Sequence, residues 1–591
     1  MRKSLLTISA FATLFACSTS YAQISNGGIP ASKKNGVELS VQPTSLYFEN
    51  PLASDEALEQ ARKENETRRV MEVARFTNVD VKFPESGVFE YLENGTIVWR
   101  AQVIVPNALA LGTYFDRFDV PKGVDMYLYN EKGNQIVGAF GVENISPEDK
   151  LFAVDAIYGK TINIELNIDP SVDLNQIDIH VDRLAVYYEG ISHLGRYVND
   201  DDNLTKIELD RFKLQGRGSI CMIDAACKED GVDVARRAAI QTLYASDRGL
   251  GMCSAAMINS AGNRNADCKN FIFTASHCQS NADGVGDYSN NGFSQTIFRY
   301  NFEIPECNTN LIAEVNSITG ANFVARSYYS DTVSSSNLSN GDFLLLQLRT
   351  QVPRSYNSAL AGWKIERSYP ANQLYIGYHH PTGDIKKVSW TTTVSTNGGY
   401  ISQRFPSDYR TGTAAQGSSG SALFDKDGRI LGTASTASIT GNDKCGQNLV
   451  SNNLNYFNIA SAWEFSTEPN KQLKRWLDPF NSGVKTIGST NTYCDDLTSV
   501  VETVSELESK VNFYPNPSNT GIINAKFDFE DKQNVSLEIF NMLGAKVGAL
   551  NINNIANGKY QLNLTELANG IYMIKVSNGV ESTTKKVTIS K

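Results

Sequence analysis

A mainly β fold is predicted by three observations. Between residues 214 and 495 the chain carries many short runs of β-branched and aromatic residues, punctuated by Gly, Asn and Ser. Long stretches of helical periodicity are few there. Every cysteine after Cys17 falls between Cys221 and Cys494, as an even set, the pattern of a disulfide-bonded, exported domain. Together these suit an antiparallel β-barrel or sandwich. The 591 residues allow about three to five domains.

The first element is an export signal over residues 1–22. Arg2 and Lys3 give the positive end, Leu5 to Cys17 the short apolar stretch, and Ser20 and Ala22 the small residues before a cut at Gln23. A rival reading takes "LFAC" as a lipoprotein box with Cys17 acylated, which Phe15 fits poorly. No other run approaches the ~20 apolar residues of a membrane helix. The mature chain is therefore expected to be exported and soluble.

Residues 23–213 lack cysteine beyond the signal. A charged, helix-like stretch runs from Ser54 to Phe76, followed by strand-like "TIVWRAQVIV", "YFDRFDV" and "MYLYN"; their alternation suits a half-buried sheet. Residues 214–495 are the cysteine-bearing β domain, closed by a helical stretch at "NKQLKRWLDP" (Asn470 to Pro479). Residues 496–510 are polar and linker-like. Residues 511–591 form a small β unit in which "VSLEIF" and "IYMIKV" alternate and "NG" turns punctuate. The net charge of −10, with no basic block, argues against nucleic acid as a partner.

Three short motifs carry chemistry. "TASHC" sets His277, one of five histidines, beside Cys278 at a strand end; an imidazole suits proton transfer near neutral pH. "QGSSGSALFD" bends around Gly417 and Gly420 and exposes one hydroxyl, Ser419. A serine needs a base before it attacks, and glycines let backbone N–H groups face a developing oxyanion. "NGDFLLLQL" places Asp342 at the mouth of an apolar strand, where a buried carboxylate needs a partner such as a histidine N–H. The order His, Asp, Ser on a β-rich, disulfide-bonded domain is one known solution of triad geometry.

With these motifs in hand, residues 214–490 resemble the chymotrypsin-like serine proteases, in the lysyl endopeptidase branch. "GSICMIDAAC" resembles that branch's mature start and "YHHPTGDIKKVSW" another of its blocks. The resemblance implies a trypsin-like pair of six-stranded β-barrels with the site in the cleft between them. It implies His277 as general base, Asp342 as its orienter, Ser419 as nucleophile, and the amides of Gly417 and Ser419 as oxyanion hole. It also implies the disulfides Cys221–Cys445, Cys227–Cys307 and Cys253–Cys278. Cys268 and Cys494 are left over, and a bridge between them follows only by elimination. His379 and His380 point to opposite strand faces and, by family position, support the cleft. His180 and His193 carry no motif. No close cysteine pair suggests zinc, and no cofactor is implied.

The chain departs from the family where lysine would be bound. Asn453, Leu454 and Asn455 stand where an acid is sought, and Asp443 is the nearest one. Thr436 and Ala437 occupy the upstream wall usually built of glycines. The expectation is a preference for a small or medium uncharged residue before the cut; lysine specificity is the alternative. Ser418 carries no charge, so activation by a new N-terminal ammonium pairing with an aspartate there is excluded. Removal of residues 23–213, which resemble the family's pro-region, is expected instead, at a boundary in "RFKLQGRGS" after Lys213 or Gln215.

"VNFYPNPSNTG", "IFNMLGAKV" and "LANGIYMIKV" resemble the C-terminal sorting domain of the Bacteroidetes type IX secretion system. This implies passage across the outer membrane and release or surface attachment, with protein or peptide substrates and the secretion machinery as partners. The rival from another class is a non-catalytic surface-binding protein on a protease scaffold.

Overall fold

Ser54 starts the longest helix among the described residues, its hydroxyl accepting from Ala57 N at 3.1 Å, with Asp55 and Glu56 in the first turn. In the computed structural model this helix spans Asp55–Thr67, shorter than the stretch to Phe76 read from charge. The chain turns extended at Arg68, and Met71–Lys82 is a strand. Pairing partners on both edges of this strand override the helical charge pattern. The structure describes residues 25–591 except 26, 35–36, 38, 200–201, 203, 213–220, 265–266, 280–288, 310, 312–313, 328–340, 443–446, 496–506, 508–509, 542–544 and 580–581. The expected export signal, the pro-region boundary and most of the linker lie outside the described residues.

The N-terminal segment is a two-sheet sandwich. One sheet orders Ser45–Tyr47, Ile97–Ile104, Thr161–Ile168, Val124–Asn130 and Ile136–Phe140, with Val88–Tyr91 also on Ile97–Ile104. The other orders Met71–Lys82, Asp178–Tyr187, Ala110–Asp119 and Phe152–Tyr158. Trp99, Phe115, Phe118, Leu128 and Leu166 fill the space between. The second sheet does not stop there. Met71–Lys82 also pairs antiparallel with Gly249–Ile258 of the next domain, Gly249 opposite Arg75 and Met252 opposite Met71.

Gly249–Ile258 belongs to the first barrel. It pairs Ala239–Ala245 on one side and Phe271–Thr274 on the other. Phe271–Thr274 pairs Leu344–Leu348, which pairs Ala321–Arg326. Ala239–Ala245 pairs Ile297–Tyr300, which pairs Asn316–Thr319. The second barrel runs from Lys387–Thr391 through Tyr375–His379, Ala422–Asp425, Ile430–Asn442 and Gln447–Asn458 to Tyr400–Arg404. Its core holds Tyr375, Ile401, Leu423, Ala434 and Tyr456. The trypsin-like double barrel is thus present. The expected closing helix is only a 3₁₀ turn at Pro469–Lys471 and a single turn at Lys474–Leu477, which ends before Pro479.

The N-terminal segment and both barrels form one compact unit, Met1–Gly483 with Gly488–Thr498; Val484–Ile487 and Ser499–Lys591 form the other. In the second unit Val511–Tyr514, Ile522–Asn541, Gly570–Ser577 and Ser582–Ile589 pair in that order, with Lys546–Asn563 on Ile522–Asn541. Alternate residues such as Leu537, Ile574, Val576 and Val587 make its core. Asn578–Gly579 is a turn, as read, but Asn557–Gly558 lies inside a strand opposite Asp528 and Phe527; the pairing there continues past the dipeptide. Among the described residues no helix is long and apolar enough to cross a membrane.

Candidate active site

Phe271–Thr274 is a fully buried strand that ends in a 3₁₀ turn, Ser276–Cys278. The turn aims the His277 ring at Asp342. His277 N donates to Asp342 Oδ1 at 3.0 Å, and Nδ1 lies 2.7 Å from Oδ2. Both side chains are 0% exposed. Ser435 Oγ donates to Oδ2 at 2.5 Å. Burial pushes the Asp342 carboxyl up, but the His277 charge and hydrogen bond, the Arg69 charge and the Ser435 hydroxyl outweigh it and hold the group below the usual range. An ionised Asp342 only accepts hydrogen bonds, so Nδ1 carries the proton and Nε2 is the basic nitrogen.

The turn is braced by a residue that motif reading missed. Arg326, fully buried, donates to Ser276 O at 2.6 Å, Gln279 O at 2.5 Å and Ser276 Oγ at 3.1 Å. Cys278 is bonded to Cys253, and Ser254 then stitches the turn to the serine loop. Ser254 N donates to Ser419 O at 2.8 Å, Ser254 Oγ to Gly417 O at 2.8 Å, and His380 N to Ser254 Oγ at 2.8 Å. Ser254 and Ser435 were likewise invisible to motif reading: each is one small polar residue in a strand whose partner is far away in sequence.

The serine loop needs its glycines. Gly417 has φ +93°, and a Cβ there would lie 2.6 Å from Met252 Cε and 2.7 Å from His380 O. Gly420 has φ +81°, and its Cβ would lie 2.1 Å from Thr274 Oγ1. The loop therefore packs directly on the histidine turn. Ser418 and Ser421 are buried, whereas Ser419 is partly exposed. Ser418 N donates to Ala415 O and Gly420 N to Ala434 O; among the described residues the Gly417 and Ser419 amides donate to no protein acceptor.

The other histidines are structural neighbours. Ser418 Oγ lies 2.9 Å from His379 Nδ1, and His379 Nε2 3.2 Å from Ser389 Oγ. Burial, helped by the Lys387 charge, lowers the His379 pKa to about 3. The His380 ring stacks on Phe302 and its Nδ1 lies 3.1 Å from Asp384 O. His180 sits between Asp80 and Asp116 on the N-terminal sandwich, away from the cleft motifs. Cys253, His277 and Cys278 lie close enough to suggest a metal cluster, but the two sulfurs are spent on each other.

Thr436 and Ala437 pair with Asn455 and Leu454 across one hairpin. Asn455 donates to Thr436 Oγ1 at 3.1 Å, and Ser438 N to Asn453 Oδ1 at 2.8 Å. The walls singled out in sequence are thus neighbours, and none of these residues is acidic. Asp443 lies outside the described residues. Cys227 is bonded to Cys307, and Cys268 to Cys494. Cys221 is disulfide-bonded, while Cys445 lies outside the described residues.

Residues 215–458 match the family model of the lysyl endopeptidase C-terminal domain. The chain carries a chymotrypsin-like serine protease domain. Residues 512–590 match the model of the secretion system C-terminal sorting domain, so this serine endopeptidase is a type IX cargo bound for the cell surface or the medium. Similar solved structures include the thermostable serine protease AL20 from an extremophilic microorganism, at 16% identity and TM-score 0.25 over 38% of this chain and 93% of that one. The protease Anisep from Arthrobacter nicotinovorans aligns at 13% identity and TM-score 0.24, over 41% and 93%. The secreted serine protease VesC from Vibrio cholerae aligns at 10% identity and TM-score 0.21, over 60% and 69%. No curated protein matches the chain.

Proposed function

We propose that this protease domain cuts peptide bonds through an acyl-enzyme on Ser419, with His277 and Asp342 as its proton relay. His277 Nε2 takes the Ser419 proton as Oγ attacks the substrate carbonyl. The amides of Gly417 and Ser419 hold the oxyanion, a contribution of ~3 kcal/mol per donor. His277 then gives its proton to the leaving amine, and water repeats the sequence to free the acid. Asp342 keeps the imidazole in the useful tautomer and compensates its charge. The observation that carries this reading is the buried Asp342 carboxylate at 2.7 Å from His277 Nδ1, beside a glycine bend with one accessible serine.

The uncharged walls at Thr436, Ala437, Asn453 and Asn455 favour a small or medium uncharged residue before the cut, since an ammonium there would lack a partner. In this reading residues 1–22 are the signal, 23–213 a removable pro-region, 214–495 the mature protease, 496–510 a linker and 511–591 the sorting domain. Labelling by a fluorophosphonate tests the nucleophile: the processed enzyme takes up one label, on Ser419, and Ser419→Ala takes up none. Cleavage of a peptide library tests the pocket. Cutting mainly after Lys would overturn the uncharged preference and turn attention to Asp443. An unlabelled, inert protein would leave the surface-binding reading.

A further inference from the structure

The link between the N-terminal segment and the first barrel lies against the serine loop. Residues 65–72 pass from the last helical turn through 68–70 into the strand that starts at Met71, a helix-to-strand loop pinned at its base by one side chain. Asn65 Nδ2 donates to Glu72 O at 2.7 Å, and Glu72 N donates back to Asn65 Oδ1 at 2.8 Å. Tyr188 Oη lies 3.0 Å from Asn65 Nδ2, and Glu72 pairs with Arg68 and Arg75, each at 2.8 Å. Arg248 of the first barrel adds a further pair to Glu72, at 3.5 Å.

The tip of that loop is held by the candidate active site. The Gln416 side chain, three residues before Ser419, donates to Arg68 O at 2.5 Å and to Asn65 O at 2.9 Å. On the other side Met71 pairs with Met252, the residue whose Cε a Cβ on Gly417 would strike and whose neighbour Cys253 is bonded to Cys278. Val70 packs on Gly251, where a Cβ would meet its Cγ1 at 2.8 Å. Arg69 lies between these anchors, and its charge acts on Asp342 and on Tyr400. From Arg68, which is extended, the chain thus joins the strand edge at Gly251–Met252 and is held by Gln416 beside the serine loop, as a substrate strand would be added.

The rest of the N-terminal segment clamps this loop in place. Asp155 makes a two-pronged contact with buried Arg299 at 2.6 and 2.7 Å, and Gln295 donates to Phe115 O and Phe152 O at 2.9 and 3.0 Å. Such pre-organised, desolvated contacts resist release.

We propose that the Asn65–Glu72 loop is a built-in plug of the substrate cleft that keeps the precursor silent until the N-terminal segment departs. This rests on the proteolytic reading above and adds its regulation.

The test follows fluorophosphonate labelling of the full-length precursor by intact mass, which separates unprocessed from processed chains. Unprocessed wild type is expected to label at least about a hundredfold more slowly than the processed enzyme, and Val70→Asp to speed the unprocessed form by at least about tenfold, a change of ~1.4 kcal/mol in plug occupancy. Asn65→Ala, which removes the side-chain bonds to Glu72 and keeps the carbonyl that Gln416 contacts, gives a second route to the same acceleration if Val70→Asp folds poorly. Both variants match wild type once processed, because the loop has left. Equal labelling of wild-type precursor and processed enzyme overturns the plug, as does slow labelling unmoved in both variants. Failure of the processed enzyme to label at all overturns the proteolytic reading instead.

Discussion

Asp342→Asn isolates the relay from the rest of the fold. The carboxylate accepts from His277 N, from Nδ1–H and from the Ser435 hydroxyl, at 3.0, 2.7 and 2.5 Å, and is fully buried. An asparagine of the same shape offers one acceptor oxygen and one NH₂. Whichever way it turns, an N–H faces a donor, and the imidazole is driven to carry its proton on Nε2, where it cannot act as base. The charge-assisted bond lost is worth ~1.5–3 kcal/mol, and the imidazolium formed on the way to the tetrahedral intermediate loses its counter-charge as well. Together these give ~4–5.5 kcal/mol, or ~10³–10⁴ in kcat. KM should stay within about threefold, because Asp342 lies behind the imidazole and touches no substrate. The assay is steady-state hydrolysis of a peptide found by library profiling, with burst titration to count active sites. A kcat within about tenfold of wild type, at full site occupancy, would refute the relay.

Three further outcomes are expected. Burial lowers the pKa values of His379 and His193 to about 3, so the unfolded chain binds protons below pH ~6.5 that the folded chain refuses, and stability present above that pH is lost as pH falls toward 3, at up to ~1.4 kcal/mol per pH unit per histidine. The urea midpoint of the precursor, which contains both, should fall as pH drops from about 6.5 toward 3, and His379→Gln should make that fall shallower. Gly420→Ala forces a Cβ to 2.1 Å from Thr274 Oγ1 and 2.3 Å from Ser254 O at φ +81°; a loss of at least ~2 kcal/mol in stability and of phosphonate labelling is expected, and a normally active, normally melting protein would contradict the loop packing. Deleting residues 511–591 should leave the protease in the periplasm, and unchanged appearance in the medium would favour a binding role for that domain.

The site was legible where chemistry is local. A histidine beside a cysteine, an aspartate opening an apolar strand and a serine between glycines each announce themselves within about ten residues. What supports them is not local. Ser254, Ser435 and Arg326 act through partners 47 to 165 residues off, and nothing in their own neighbourhoods marks them. The same holds for the fold. Alternation found the strands, but the sheet that runs from the N-terminal sandwich into the first barrel depends on Arg75 meeting Gly249, a pairing that no periodicity encodes. Charge read the helix past Thr67 because "RKENETRRVMEVAR" is rich in helix-favouring residues, while strand partners on both edges claim its second half.

Cys268 and Cys494 lie 226 residues apart in sequence and are joined, so the first-barrel strands from Phe271–Thr274 onward and the second barrel lie within a single covalent ring. A protease that works among other proteases, and among copies of itself, is exposed to nicking at its surface turns. One cut anywhere between those two cysteines opens the ring but parts nothing: the fragments stay tethered and able to re-dock. Nicked enzyme should therefore run as one species on a non-reducing gel and separate into pieces only with reductant, a durability that comes from connectivity and requires no extra core.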